Sequence, residues 1–427
     1  MKTFMLAIWC VILSWPFPSR SQGNAKLHGK VVDEELGQPI GYASISIKGK
    51  AIGTVTNDDG IFDLYIPASS INDTLTVSVI GYAIHKNVVS DAAAATSLMI
   101  RLRLKPIVLK EVTVTKPETG QQIMVKAFQK IEQNFPTKNY NYRAFFRELY
   151  EQNNEAVFMT EAVVDIYDVG FRGIKGRRNW LNEKVHAVNV RASANYIKGP
   201  FKITNFSYLT YCLQWRNIKY RDPNPSANFR RCQFEVDSII ALNNQLLYVV
   251  SNVFGDVESK SRDTYYVNVE TYAIHKHVIS DLANPGQILN QWKMMADSSY
   301  YYQNKSRYVV QEYENHDGKM YLKYVSGEFH ADIYDQRTKS IMSHLKTTEM
   351  LSVTEINAND EKVPENLTTV LQYKNLSEST PSYDAQFWND YSVVKQVPLT
   401  KKQTKDLEKK VPLEEQFNAN EHSAPIK

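Results

Sequence analysis

His275 and His277 stand two residues apart, a spacing that puts both side chains on one face of a β-strand. Two imidazoles so placed can bind a metal. No carboxylate or third His stands at a diagnostic spacing beside them, and two His alone make no complete site. The pair therefore reads as solvent-facing, and no metal is expected. Glu148, Glu161 and Asp165 fall on neighbouring expected strands. Paired carboxylates can carry acid/base chemistry, but Arg143 and Arg147 stand among them, so salt bridges are the expected role. Asn57-Asp58-Asp59-Gly60 offers oxygen ligands for Ca²⁺ but lacks the loop spacing and the distant Glu of an EF-hand. Turn chemistry accounts for it: Asn and Asp tolerate left-handed backbone and Gly60 supplies a positive φ.

One group of residues reads as a binding candidate. Arg172, Lys175, Arg177 and Arg178 lie in the loop FRGIKGRRNW, which ends at Trp180. Guanidinium and ammonium groups beside an aromatic ring suit anionic lipid headgroups or acidic glycans. The plain alternative is a solvated loop. Cys212 and Cys232 bracket a polar stretch, CLQWRNIKYRDPNPSANFRRC. In an oxidising compartment they can pair; as buried thiols they would simply pack. Both readings stay open. The chain holds 26 Tyr, and Tyr300-Tyr301-Tyr302 places rings on both faces of a strand. Exposed rings would stack on sugars or receive lipid, whereas β-propensity and half-burial explain them without a ligand. No HExxH, GxSxG, GxxxxGK[ST] or GxGxxG occurs, and no His is followed three residues on by Glu. No catalytic residue and no cofactor is expected, and the chain reads as non-enzymatic.

The elements that carry these residues sit in a chain of 427 residues, 43% hydrophobic and 22% charged. That composition is globular. Three Cys exclude a disulfide-dense scaffold. The formal charge is +4, and Lys2 and Arg20 belong to the leader, so the remainder is nearly balanced and nucleic acid is not an expected partner. Residues 1–21 read as a signal peptide: Lys2, then an apolar run from Phe4 to Leu13, then Pro16, Pro18 and the small residues Ser19 and Ser21. Trp9 before Cys10 argues against lipidation there. No later run reaches the length of a transmembrane helix.

Residues 26–104 read as seven short strands at regular spacing, the pattern of a β-sandwich. Phe62, Leu64 and Ile66 alternate with Ile61, Asp63 and Tyr65. Leu98, Ile100, Leu102 and Leu104 are expected inside, with Arg101 and Arg103 outside. The stretches GKVVDEELGQPIGYASISIKGKAIGTVTNDDGIFDL and DTLTVSVIGY resemble the carboxypeptidase-regulatory-like domain. The resemblance implies a transthyretin-like seven-stranded sandwich, common in secreted and outer-membrane proteins of Gram-negative bacteria, and a non-catalytic role without zinc ligands. Leu109 to Thr115 also resembles the segment after this domain in TonB-dependent receptors, whose barrel needs far more chain than is present here.

Thr119 is placed to cap a helix over 121–134 with Ile123, Phe128 and Ile131 on one face. Long strands follow as hairpins: 142–151 with 156–168, 232–240 with 245–253, 264–270 with 273–281, then 300–314, 319–334 and 341–355. The stretch 195–222 is expected to be partly helical, and 401–417 a polar surface helix. The pieces AFQKIEQNFPT, FFRELY, TEAVVDIY and FWNDYSVV resemble a family often joined to the first domain in the same bacteria. The order of elements is similar to that of periplasmic lipoprotein carriers, which fold as a half-open β-barrel around a helix.

The expected fold is therefore mainly β. A sandwich over 26–115 precedes a larger antiparallel α+β domain over 116–400, with a half-barrel as one arrangement of it, and a polar tail over 401–427. The expected function is that of a non-enzymatic exported protein, a binding module at the periplasm or outer membrane. Its expected partner is an envelope protein or glycan. A lipid or lipoprotein carrier is the first alternative, and an accessory glycan-binding protein for uptake the second.

Overall fold

The structure is a computed structural model. It describes residues 25–41, 43–48, 53–56, 59–66, 68–79, 82–94, 97–104, 118–171, 183–199, 209, 212–213, 233–242, 245–255, 259–293, 299–358, 368–369, 376, 383–391 and 399–420. The expected leader lies outside the described residues, as does most of the stretch expected to be partly helical. No helix among the described residues is long and apolar enough to cross a membrane.

Seven strands build the N-terminal unit: β1 (Ala25–Asp33), β2 (Ser44–Ile47), β3 (Gly53–Val55), β4 (Ile61–Ile66), β5 (Thr74–Ser78), β6 (His85–Val88) and β7 (Leu98–Leu102). They form two sheets, ordered β4-β1-β7 and β3-β2-β5-β6. Alternation decides the core, because successive side chains point to opposite faces. Leu27, Val31, Ile45, Ile47, Phe62, Leu64, Ile66, Leu75, Val77, Ile100 and Leu102 are buried between the sheets. Leu104, expected inside, is exposed: it lies past the end of β7 and makes only an isolated bridge to Tyr82. A short helix, α1 (Val89–Ala93), follows β6 and buries Val89 and Ala92. Gly60 turns the chain into β4 with φ +74°, and a Cβ there would lie 2.4 Å from the Val31 carbonyl oxygen. Only glycine satisfies both demands.

The second unit begins with α2 (Gly120–Gln129) and α3 (Ile131–Asn134). Thr119 caps α2 through a capping box with Gln122, as its position implied. Twelve strands follow. They are β8 (Tyr140–Gln152), β9 (Glu155–Asp168), β10 (Lys184–Ala192), β11 (Phe234–Leu242), β12 (Gln245–Gly255), β13 (Ser259–Asn268), β14 (Ile274–Ala283), β15 (Asn290–Lys293), β16 (Tyr300–His316), β17 (Lys319–Asp335), β18 (Ser340–Asn357) and β19 (Thr368–Thr369). They make one sheet, ordered β11-β12-β13-β14-β16-β17-β18-β8-β9-β10-β19, with β15 added on β16. Every pairing within it is antiparallel. Among the described residues β11 and β19 do not pair with each other, so the sheet is open.

The expected hairpins are present, and local turn chemistry explains them. Asn153 and Asn154 take positive φ between β8 and β9, and Asp317 and Gly318 do so between β16 and β17. What closes the sheet in its middle is not local: β18 returns to pair with β8.

The two faces of this sheet have different covers. On the inner face α2 lies against β11 and β12, and α3 against β17. Ile123, Met124, Ala127, Phe128 and Ile131 join Phe146, Ala162, Val250, Tyr265, Val325 and Leu351 in the main core, together with Leu209, Cys212, Leu213 and Leu376. The outer face of β8, β9 and β10 is covered by α4 (Ala385–Tyr391), α5 (Lys401–Leu407) and α6 (Leu413–Asn420). The expected surface helix over 401–417 is thus two short helices, and it is anchored: Leu407 and Phe417 are buried against Leu149, Ala156 and Met159. Between the two units, Lys323 of β17 donates a hydrogen bond to Ser44 of β2 at 2.6 Å.

Candidate functional site

The basic loop that the sequence singled out, Arg172, Lys175, Arg177, Arg178 and Trp180, lies outside the described residues, which stop at Phe171 and resume at Glu183. Phe171 itself packs on Phe135, ring centroids 4.4 Å apart, in the main core. Cys212 is buried in that core, and Cys232 lies outside the described residues.

His275 and His277 do not act as a pair on one regular strand face. A register shift between Tyr266/Val267 and Lys276/Ile274 places His275 at a bulge, which breaks the two-residue alternation. Burial pushes His275 down to about 4. His277 is fully buried, stacked on Tyr265 at 4.2 Å and 3.6 Å from Asp263. Tyr300 is buried beside Ile333 and Leu345, while Tyr301 and Tyr302 are half-buried. Desolvation pushes Tyr302 up to about 12.

The three carboxylates separate by face. Arg143 holds Asp165 with two hydrogen bonds, 2.6 and 2.9 Å. Glu161 lies between Arg147 and Arg191, at 2.5 and 2.6 Å, on the outer face. Burial pushes its carboxyl up, but the two guanidiniums outweigh burial and hold it below the usual carboxylate value. Arg191 in turn lies 4.2 Å from the Trp388 ring and 4.9 Å from the Phe417 ring. This triad fastens the C-terminal helices to the sheet.

Glu148 points the other way. Tyr142, Ala144 and Phe146 alternate into the inner core, and Glu148 is the next residue in that alternation. Its direct cross-strand neighbours are Thr160 on β9 and Glu349 on β18. Glu349 likewise continues the inward alternation of Val353 and Leu351. Both carboxyls are 3% exposed, and Thr160 is 0% exposed. Directly opposed residues on antiparallel strands have Cβ atoms about 5 Å apart, so Glu148 and Glu349 leave their strands side by side. Burial pushes the Glu148 carboxyl up to about 8, and the Thr160 hydroxyl facing it pulls the other way without offsetting that.

The levels of the sheet on either side differ in chemistry. Toward α2 the inward positions are Val190, Ala162, Phe146, Leu351 and Val325. Away from α2 they are Phe158, Tyr150, Thr347, Phe329 and Arg307. Tyr150 and Phe158 have ring centroids 6.0 Å apart. Phe329 is half-buried at the margin of the core, and Tyr196 is half-buried beside Tyr150 and Phe158. Arg307 is engaged by Asp281 of β14. The pair of carboxyls thus sits where an apolar core gives way to a polar and aromatic belt. This arrangement can hold a proton, accept or donate hydrogen bonds and receive a cation.

A separate open groove of about 720 Å³ runs outside, along α5, lined by Leu399, Lys401, Thr404, Lys405, Glu408 and Lys409. Three of its linings are lysines and one is an acid, so it is mildly basic.

Comparison with known proteins bears mainly on the N-terminal unit. No curated protein matches the chain. Among solved structures, a LolA-superfamily protein from Nitrosomonas europaea is similar over 58% of this chain and 96% of its own, at 12% identity and a TM-score of 0.21. A DUF1329-family protein from Desulfovibrio piger is similar over 58% of this chain and 96% of its own, at 6% identity and a TM-score of 0.24. TM-scores this low do not establish a common fold. Residues 27–114 match the CarboxypepD_reg-like domain family. The seven-stranded sandwich that precedes the large open sheet is accordingly a CarboxypepD_reg-like domain.

Proposed function

We propose that this protein is a non-enzymatic binding module of the cell envelope, exported through its leader, whose large sheet receives a partner on the belt beside Glu148 and Glu349. The observation that carries this reading is the division of the inner face. One part is sealed by α2 and α3. The adjoining part presents two buried carboxyls among the aromatic rings of Tyr150, Phe158 and Phe329. Buried acids of this kind reduce stability, and groups with strongly perturbed pKa values cluster at functional sites. The N-terminal domain supports the same reading through the family it matches, whose resemblance implies a regulatory rather than a catalytic part.

The carrier alternative calls for an apolar cavity inside the sheet. Behind α2 that volume is taken by the chain's own side chains, Phe128, Phe146, Tyr265 and Leu351 among them, and so the interaction module is preferred. Native mass spectrometry of the protein isolated from its own envelope fraction tests the choice. A reproducible adduct of protein or small-ligand mass is expected. An adduct of lipid mass would favour the carrier, and a bare mass would remove the binding reading. Turnover of an envelope substrate, abolished by a single polar substitution, would overturn the non-enzymatic assignment.

A further inference from the structure

We propose that the groove along α5 docks this protein on an anionic lipid surface. The proposal goes beyond the binding reading above and uses the opposite, outer face of the sheet. Residues 399–413 hold five lysines, two acids and no arginine, a net +3 with both acids counted. The acids around α5 are already engaged. Asp406 takes Lys402 at 2.6 Å and accepts the Ala156 amide at 3.2 Å. Glu155 takes Lys409 at 3.0 Å. Glu408, which lines the groove, accepts the Leu413 amide at 3.2 Å and so supports the start of α6. Lys401 and Lys405 also line the groove, and among the described residues neither has a carboxylate partner. They stand one helical turn apart on α5, where like charges repel unless an anion lies between them. The Lys410 ammonium lies 5.0 Å over the Tyr196 ring, a contact that leaves its charge uncancelled.

The chemistry of the groove favours a lipid surface over one particular anionic group. Arginine presents a planar fork that matches a single carboxylate or phosphate, whereas lysine is a point charge on a flexible stem. An all-lysine face therefore suits many anionic headgroups that move past one another. Apolar side chains flank the ammoniums: Leu399 lines the groove, and Val411, 37% exposed, follows Lys410. Such residues and the lysine stems rest at the boundary of headgroups and acyl chains, while the ammoniums stay in water. Leu407 and Phe417 fix α5 and α6 to the sheet, so the lysines stand on a rigid base. Because α5 lies on the outer face, docking there turns the inner face and its belt away from the lipid, and both surfaces can be occupied together.

Vesicle flotation tests the proposal with residues 22–427, which keep every described residue and drop the apolar run Phe4–Leu13 that would itself enter a bilayer. The vesicles are phosphatidylcholine alone or with about 30% phosphatidylglycerol. Binding is expected to the anionic vesicles only. It should fall at least about tenfold between roughly 0.05 M and about 0.5 M salt, because the attraction is screened. Each lysine near an anionic surface is worth about fivefold in partitioning, so Lys401→Gln with Lys405→Gln should weaken binding about 25-fold. Both side chains are exposed and glutamine is a comparable helix former, so the variant should fold, which circular dichroism checks. Lys48→Gln with Lys86→Gln removes the same charge from the N-terminal domain and should change binding by less than about twofold. No binding to anionic vesicles, equal binding to neutral ones, or equal losses in the two double variants would overturn the proposal. Binding of soluble polyglutamate with the same lysine dependence, and of no vesicle, would overturn the lipid surface and make the partner an acidic protein segment.

Discussion

Glu148→Gln should stabilise the protein at neutral pH, because the acid it removes is held neutral in the fold at a cost. The ordinary carboxyl value is 4.5, and burial raises the folded value to about 8. Between these limits the unfolded chain has released the proton and the folded chain keeps it. Stability therefore falls as pH rises, by about 1.4 kcal/mol per pH unit. It is fully present below pH 4.5, and the loss is complete near the folded value. At pH 7 the accumulated penalty is about 3 kcal/mol, an order-of-magnitude figure. Glutamine does not titrate, so the variant should match the parent near pH 4.5 and exceed it by about that amount at pH 7, a rise of a few degrees in Tm. Urea unfolding of both proteins from pH 4.5 to 8 reads the effect. A difference that stays constant across the range within about 0.5 kcal/mol would refute the reasoning.

Other substitutions probe the supports of the site. Glu161→Gln leaves Arg147 and Arg191 without their shared carboxylate inside the protein; it should lose about 3–5 kcal/mol, and limited proteolysis should then cut between β19 and α6 first. If the C-terminal helices stay as protected as in the parent, the triad is not their fastening. Gly60→Ala meets both a positive φ and the Val31 carbonyl; a loss on the order of 1–3 kcal/mol should appear in the unfolding of the N-terminal domain and not in the large sheet. Thr119→Ala removes the α2 cap and should cost about 1 kcal/mol, read as faster amide exchange over the first turn of the helix.

The site follows from a conflict between two levels of structure. The alternation that drives Tyr142, Ala144 and Phe146 inward also carries Glu148 inward. An acid at a core position weakens the fold unless a ligand or proton compensates. The Glu161 position shows the contrasting solution. There the acid is equally buried, but two arginines neutralise it, and it holds the C-terminal helices in place.

Much of the local architecture was legible in the sequence, because strand alternation and turn residues act over a few positions. The seven strands of 26–104, the Thr119 cap and the hairpins around Asn153 and Asp317 all follow from near neighbours. The inward parity of Glu148 and Glu349 was also present as a signal, an acid among alternating apolar residues, although the two stand far apart in the chain. Their meeting was not legible, since it depends on β18 pairing with β8, and no local rule chooses that partner or its register. The same holds for Arg191, which reaches Glu161 only because β10 lies beside β9. The bulge at His275 undid a pairing that spacing alone suggested. The segment 401–417 looked like a polar surface helix by composition, yet two apolar residues, Leu407 and Phe417, suffice to dock it once a complementary face exists. Side-chain period and turn chemistry are properties of a short stretch of chain; which faces and edges come together is settled only when distant strands compete for the same neighbour.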